Sequence, residues 1–221
     1  MDPIVHSRSD GFVRRAGVRL CAAWLAKAVT VSGGMAAFFI AYFELLNRPR
    51  FSVTIMPVTA IDRFIAFRPE ALALYVSLWI YVPLGFGLLP NRRELFAHSL
   101  AAAVLALIGL GVFWAWPTAV PLFSETWAAG SAFAFLKNVD AAGNACPSLH
   151  VAFAVFTAIR LGRLLHAMKA NSLVRLANWL WCAGIVYSTL ATRQHVALDA
   201  VAGAVLGGGI GLLRLRSRGG T

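Results

Sequence analysis

Residues 144–156 read NACPSLHVAFAVF, in which a short polar segment runs directly into an apolar stretch. The apolar part continues to Leu165, and a transmembrane helix needs about 20 mostly apolar residues. Five further stretches have a similar length and composition. The six predicted spans cover residues 29–46, 71–89, 97–116, 148–165, 174–191 and 196–213. The sequence therefore predicts an all-α integral membrane protein, built as a bundle of six transmembrane helices.

The composition also favours a membrane protein. Of the 221 residues, 59% are hydrophobic and 13% are charged, whereas charged residues make up roughly a quarter of an ordinary soluble domain. A soluble domain of this size could not bury so much apolar surface. We expect one membrane domain over residues 1–221. Within it, residues 1–28 would form a basic flank or an interfacial helix, and residues 117–146 a long outer loop.

The formal net charge of +11 predicts an orientation in the membrane better than it predicts binding to nucleic acid. The basic residues lie between the apolar stretches, and cytoplasmic loops of membrane proteins collect Lys and Arg. Most of the 20 Lys and Arg residues fall on the side that holds both termini. We therefore expect both termini in the cytoplasm, in a bacterial inner membrane, and no nucleic-acid partner.

The first outer segment carries Arg63 and Arg68. Pro69 fits the first turn of a helix, so Arg68 would lie just before a helix N-terminus at the membrane surface. An arginine in this position could bind an anionic substrate. Alternatively, it could only extend its side chain to phospholipid headgroups.

The second outer segment ends in Pro147-Ser148-Leu149-His150. With proline at the first helical position, Ser148 and His150 would lie in the first turn of the next span. Free backbone N–H groups and the positive end of the helix dipole favour an anion there, and a phosphate fits. The alternative is a histidine at the water interface and a serine that satisfies the helix end.

The third outer segment contains His195 and Asp199. If the chain is helical from about Arg193 onward, these two residues lie one turn apart on one face, so the carboxylate can accept a proton from one imidazole nitrogen. The other nitrogen is then available as a nucleophile or base. An aspartate in an apolar span is costly and usually functional. The alternative is a buried pair that only holds helices together.

All three segments lie at one predicted membrane face, each near the start of a span. Together they supply two histidines, an aspartate, a serine and several arginines. This set suits phosphoryl transfer, in which cations and helix N-termini hold the phosphate oxygens, one imidazole attacks and another protonates the leaving group.

The pattern resembles the type 2 phosphatidic acid phosphatase superfamily, membrane and vanadium-haloperoxidase-like enzymes with three motifs. These are Lys-x6-Arg-Pro, Pro-Ser-Gly-His and Ser-Arg-x5-His-x3-Asp. Residues 147–150 match the second motif, with leucine in the glycine position. Ser188, His195 and Asp199 stand at the spacing of the third.

The departures from the motifs concern phosphate-binding cations. The first motif keeps only Arg68-Pro69, with Ile61 in the lysine position, and Thr189 stands in the arginine position of the third. Arg193 lies one helical turn beyond Thr189 and could present its guanidinium to the same place, whereas Arg63 is a weaker substitute for the lysine. The pattern is similar to the branch that includes relatives of inositol phosphorylceramide synthase.

The resemblance implies that His195 is the nucleophile that forms a phosphohistidine and that Asp199 orients it. His150 would be the general acid for the leaving oxygen. The reaction would need no metal and no other cofactor. The implied phosphate-binding residues are Arg68, Ser148, Arg193, Arg63 and Ser188.

The leading hypothesis is a membrane lipid phosphatase with its site at the periplasmic face, whose phosphomonoester or diphosphate lipid enters from the bilayer. The reaction could instead be headgroup transfer, in which another hydroxyl replaces water. A transporter is a third interpretation. Against it, the ionisable groups cluster at one predicted membrane face and leave the other half of the bilayer without ionisable residues apart from basic flanks. A metal site made of His150, His195 and Asp199 is a fourth.

Gly203, Gly207 and Gly211 recur every four residues on the last predicted span. They share a helix face with Asp199, so a neighbouring helix can approach closely there. This spacing would allow the span to bring His195 near His150.

Overall fold

The computed structural model describes residues 3–123 and 143–213, with side chains from residue 11 onward. Residues 124–142 of the predicted outer loop lie outside these ranges. The helices are α1 (Pro3–Cys21), α2 (Trp24–Asn47), α3 (Ala60–Phe64), α4 (Leu72–Val76), α5 (Leu78–Gly87), α6 (Arg92–Ala115), α7 (Leu149–Ala167), α8 (Ser172–Ala191) and α9 (Ala197–Leu212), and the strands are β1 (Thr54–Ile55) and β2 (Thr118–Ala119).

Four of the described segments are long and apolar enough to cross a membrane. They are α2, the segment Pro69–Gly87 that contains α4 and α5, α6, and α7, while α9 is a shorter apolar helix. The chain is thus a largely helical protein of the kind that spans a membrane. The arrangement with six spans and its orientation remain predictions.

Polar side chains set the starts of three long helices. The side chains of Asn91, Ser148 and Asn171 each accept a hydrogen bond from the backbone N–H three residues on, at the N-termini of α6, α7 and α8. These residue types are preferred at such positions because a helix start leaves backbone N–H groups without partners.

Helix α7 lies at the centre of the bundle and packs against α5, α6, α8 and α9. Its residues Val151, Ala154 and Phe156 are fully buried. A buried polar network joins three of these helices, since the Tyr81 hydroxyl on α5 donates to Oδ1 of Asn178 on α8 (2.7 Å) and Asn178 donates to the Ala158 carbonyl on α7 (3.0 Å). Satisfied networks of this kind fix one relative placement of the helices.

Helix α9 packs closely on α7 through its glycines. A Cβ atom added at Gly203 would collide with the backbone carbonyl of Ser148, and one added at Gly207 with that of Ala152. Only a residue without a side chain allows backbones to approach this far. The glycine spacing seen in the sequence therefore holds the start of α9 against the start of α7.

The segment of the second predicted span is interrupted. Helix α4 ends at Val76 and α5 begins at Leu78. The N–H groups of Ile80 and Tyr81 both donate to the Ser77 carbonyl, at 3.0 Å. This tight turn divides the span close to the end that carries the candidate site.

Helix α1 packs against the opposite end of the bundle. Phe12 and Ala16 contact the hydrophobic core of the bundle, and Nε of Arg15 donates to the Met168 carbonyl (3.0 Å). The buried Lys27 donates to the Gly87 carbonyl (2.7 Å), which ties α2 to the end of α5. The position of α1 at a membrane interface remains a prediction.

Candidate active site

Backbone hydrogen bonds join the three polar segments. The parallel pair of β1 and β2 connects the first segment to the second, and the Ala145 N–H donates to the Thr118 carbonyl (3.2 Å). The Arg68 N–H donates to the Ala191 carbonyl at 2.8 Å, which connects the first segment to the third. The segments that the sequence predicts at one membrane face thus lie together at one end of the bundle.

Asp62 is a buried carboxylate that links two of these segments. Its Oδ2 accepts hydrogen bonds from the N–H and the hydroxyl of Thr59, both at 2.7 Å. Its Oδ1 accepts from the N–H of Ala197 at 2.7 Å, at the start of α9. Because Val196 gives α9 no side-chain cap, Asp62 supplies that cap from 135 residues earlier in the chain. The motifs in the sequence do not indicate this role, although Thr59-x-x-Asp62 has the spacing of a capping box.

We expect Asp62→Ala to lower the free energy of unfolding by at least about 3 kcal/mol, since each hydrogen bond to a charged group contributes about 1.5–3 kcal/mol. Turnover should fall as well, because His195 precedes the helix that Asp62 caps. Thermal unfolding in detergent micelles measures the first effect. Glu70→Ala is the matched control, because Glu70 is an exposed carboxylate of the same outer segment. Equal melting temperatures of Asp62→Ala and Glu70→Ala would contradict this role.

His195 and Asp199 form the pair that their spacing predicts. Nδ1 of His195 lies 3.1 Å from Oδ2 of Asp199, whose side chain is fully buried. The expected helical start near Arg193 is wrong, because α9 begins only at Ala197. Asp199 is the third residue of that helix and reaches back to the imidazole just outside it. With Nδ1 bound to the carboxylate, Nε2 is the nitrogen available for attack.

The turn before His195 corrects the expected placement of Arg193. Helix α8 ends at Ala191, and the N–H groups of Gln194 and His195 both donate to the Thr189 carbonyl, at 3.1 and 3.0 Å. Arg193 has a φ of 55°, the left-handed conformation that closes many helix ends. It therefore does not follow Thr189 by a helical turn, because the helix has already ended.

The Arg193 side chain folds back over the first segment. Its Nη1 donates to the Asp62 backbone carbonyl at 2.6 Å, and its guanidinium carbon lies 4.8 Å from the centre of the Phe123 ring. The half-buried guanidinium is thus held near the start of α9 by contacts that no helical spacing predicts.

Ser148 caps α7 instead of lying within its first turn. The helix begins at Leu149, and the fully buried Ser148 Oγ accepts a hydrogen bond from the Val151 N–H at 3.2 Å. The expectation that proline occupies the first helical position is therefore wrong, because Pro147 precedes the cap. The Ser148 N–H donates to the Asp199 carbonyl at 2.9 Å. This bond joins the second motif directly to the third.

His150 lies in the first turn of α7 and contacts Tyr75 twice. Its Nε2 is 2.9 Å from the Tyr75 backbone carbonyl, and the two rings stack with centroids 3.9 Å apart and an interplanar angle of 12°. Tyr75 is a second site residue that the sequence does not predict, since no motif contains it.

The remaining phosphate-binding candidates differ in their surroundings. The Ser188 hydroxyl is fully buried and donates to the Ile185 carbonyl of its own helix (2.6 Å), so we assign it to the structure of α8 rather than to a phosphate. Arg63 and Arg68 are exposed, in the same outer segment as the buried Asp62.

Cys146 is an unsuitable nucleophile at this site. Burial, and in second place the Asp199 charge, raise the pKa of the Cys146 thiol, which disfavours a thiolate nucleophile here.

The buried His98 lies in the other half of the bundle, which corrects the expectation that this half holds no ionisable residues apart from basic flanks. The His98 ring lies between Phe86 and Phe156, at centroid distances of 4.5 and 5.0 Å. The Arg160 guanidinium carbon is 5.6 Å from the centre of the Phe156 ring. His150 and Arg160 are ten residues apart on α7, which corresponds to about 15 Å along the helix axis. This second cluster is therefore separate from the candidate site.

A cavity of about 620 Å³ lies between α2, α5, α6 and α7 and reaches the two histidines. His150, His195, Tyr75 and Asn144 line one end. The walls beyond them are almost entirely aliphatic and aromatic. Within the described ranges, no group of three or more His, Cys, Asp and Glu side chains is placed to hold a metal ion.

Comparison with known proteins identifies the family. The sequence profile described as PAP2 superfamily matches residues 51–213, which is most of the chain. The chain belongs to the PAP2 superfamily. This is the type 2 phosphatidic acid phosphatase superfamily that the motifs resemble, and its members are generally phosphatases. Searches of curated proteins and of solved structures find no match.

The PAP2 match extends over every candidate residue of the site, from Arg63 to Asp199. It supports an enzyme of the phosphatase or phosphotransferase type in a membrane. Membership of the chain in the inositol phosphorylceramide synthase-like branch of the superfamily stays a prediction.

Proposed function

We propose that the protein is a membrane lipid phosphatase that hydrolyses a phosphomonoester or diphosphate lipid through a phosphohistidine at His195. The observation that carries this proposal is the cavity that His150 and His195 share, because its remaining walls are almost wholly apolar. A water-soluble phosphate ester has no apolar part to fill such a cavity, whereas a hydrocarbon chain that enters from the bilayer stays in apolar surroundings there.

The length of the cavity also favours a lipid. Its lining on α2 extends from Thr30 to Phe43, a distance of about 20 Å at 1.5 Å per residue. This is about two thirds of the hydrocarbon thickness of a bilayer. A chain whose phosphate lies at the histidines could therefore run deep into the bundle.

In the proposed reaction, Nε2 of His195 attacks the phosphorus atom while the bond to the lipid oxygen breaks. Asp199 accepts the hydrogen bond from Nδ1–H and stabilises the imidazole as it gains positive charge. His150 donates a proton to the leaving oxygen. A water molecule then attacks the phosphohistidine and gives its proton back to His150, so that phosphate leaves and both histidines are restored.

Phosphate oxygens would be held by cations and by backbone donors. We assign this role to Arg68, Arg193 and the backbone N–H groups of the first turn of α7, the helix that Ser148 caps, with Arg63 as a further candidate. These groups neutralise the charge that the transferring phosphoryl group carries, so the mechanism requires no metal. In the proposed orientation, six spans place both termini in the cytoplasm and the site at the periplasmic face.

Removal of the Arg193 guanidinium tests its proposed role. We expect Arg193→Gly to raise KM about 10- to 100-fold, as for the loss of a hydrogen bond to a charged group. Glycine is preferred to alanine here because it adopts the positive φ of this residue without strain. Arg48→Ala removes an exposed arginine paired with Glu44 and should leave KM unchanged. An unchanged KM in Arg193→Gly would reject this assignment.

The overall proposal is tested with purified protein in EDTA, offered phosphatidic acid, phosphatidylglycerol phosphate and polyprenyl diphosphate. We expect release of inorganic phosphate from at least one of these lipids, because its chain fits the apolar cavity. A short soluble phosphate ester should be a much poorer substrate. Transfer of the headgroup to an alcohol without phosphate release would indicate a phosphotransferase instead, and a requirement for added metal would contradict the mechanism.

A further inference from the structure

We infer that Tyr75 is a positioning residue for His150, because its backbone carbonyl fixes the proton on Nε2 and its ring supports the imidazole. The inference rests on the proposed function, in which His150 is the general acid. It identifies Nδ1 as the nitrogen that exchanges a proton with the substrate.

The interruption between α4 and α5 presents the Tyr75 carbonyl to α7. In a continuous helix, backbone carbonyls point along the axis to the N–H four residues on. Here the Ile80 N–H donates to the Ser77 carbonyl only three residues back, so a tighter turn interrupts the regular helix at Ser77, two residues after Tyr75. The Tyr75 carbonyl lies 2.9 Å from Nε2 of His150. Breaks of this kind in membrane helices often occur at functional sites.

Side-chain contacts fix the interruption to a third helix. The Ser77 hydroxyl donates to the Leu74 carbonyl at 2.6 Å and accepts a hydrogen bond from the Trp181 indole on α8 at 2.8 Å. The carbonyl that contacts His150 therefore belongs to an anchored turn. Its position would not depend on a bound substrate.

The contact determines which imidazole nitrogen can react. A carbonyl oxygen only accepts hydrogen bonds, so Nε2 of His150 must carry a proton. In the first half of the reaction, the Nδ1–H bond breaks as the leaving oxygen takes its proton, and the Nε2–H stays on the Tyr75 carbonyl. In the second half, Nδ1 takes a proton from the attacking water. The Tyr75 ring favours the protonated imidazole at each turnover, because a cation over an aromatic face is attracted to it.

The test compares two leaving groups in two variants. A general acid matters for an alkoxide leaving group and hardly at all for p-nitrophenolate, which leaves without a proton. For Tyr75→Leu, which removes the ring and keeps the backbone carbonyl, we expect kcat/KM to fall about 30-fold with a lipid phosphomonoester and less than about threefold with p-nitrophenyl phosphate. The ratio kcat/KM is measured because it reports the step in which the leaving group departs, whereas kcat also includes hydrolysis of the phosphohistidine that both substrates share. Tyr75→Phe keeps the stacked ring and should keep most of the lipid activity. Tyr187→Leu, at an exposed tyrosine of α8, is the control for loss of an aromatic residue.

Equal losses of kcat/KM with both substrates in Tyr75→Leu would overturn the inference, because they would indicate a general disturbance of the fold. A wild-type enzyme without activity on any phosphate ester would overturn the proposed function instead. A second measurement does not need turnover: the 15N spectrum of protein labelled at histidine, with His150→Gln to assign its signals. We expect the neutral His150 ring to carry its proton on Nε2, and a proton on Nδ1 would contradict the contact with Tyr75.

Discussion

His195→Ala is expected to lower turnover by about four to six orders of magnitude, as for the loss of other nucleophiles that act together with an orienting partner. The reason is that no other described imidazole at the site is bound to a buried carboxylate: Nδ1 of His195 is 3.1 Å from Asp199, whereas His150 contacts a backbone carbonyl. Release of phosphate from the preferred lipid measures the effect.

The fold should survive this substitution, because His195 lies in the loop between α8 and α9 and not in the core. Retention of the wild-type melting temperature in micelles checks this point. His166→Ala is the matched control, since His166 is near the end of α7 remote from the site and its ring contacts Arg175. Wild-type turnover by His195→Ala would remove His195 from the mechanism.

Gly203→Ala is expected to lower the free energy of unfolding by about 3 kcal/mol, at the upper end of what overpacking costs in a tight core. The added Cβ would collide with the Ser148 carbonyl, an atom of the backbone that cannot move as a side chain can. Because Ser148 also donates to the Asp199 carbonyl, the displacement would separate His195 from His150. Activity should therefore fall together with stability.

The same helix supplies a matched control. A Cβ atom at Gly209 would have no neighbour within 4 Å, and alanine favours a helix over glycine by about 1 kcal/mol. Gly209→Ala should thus melt at the wild-type temperature or higher and keep full activity. If Gly203→Ala and Gly209→Ala were equally stable in thermal unfolding, the close approach of α7 and α9 would not be needed for the fold.

The helices, and the position of the three polar segments at one end of the bundle, could be predicted because both follow from the alternation of apolar stretches and polar segments along the chain. Apolar stretches of about 20 residues predict helices whatever their partners are, and a helix covers part or all of each predicted stretch. The pairing of His195 with Asp199 follows from their spacing of four residues, so it survives even though α9 begins later than expected.

The other site contacts could not be predicted because they connect residues far apart in the chain. Asp62 caps α9 and Tyr75 contacts His150 across 135 and 75 residues, respectively. Arg193 was misplaced for a different reason: periodicity gives no sign that a helix ends in a left-handed residue when that residue is not glycine. Ser188 has the correct motif position, but its hydroxyl satisfies its own helix.

Trapping of the phosphoenzyme tests the role of His195 as nucleophile. A lipid substrate labelled with 32P in its terminal phosphate is mixed with excess enzyme in EDTA and quenched with alkali within the first turnover. We expect radioactivity bound to the chain that is stable to alkali and lost in acid, as for a phosphohistidine, and that is located at His195. His195→Ala should carry no label, whereas His150→Gln should accumulate it if its second step is the slower one. Hydrolysis by the wild type without any labelled protein, or a label on another residue, would exclude His195 as the nucleophile.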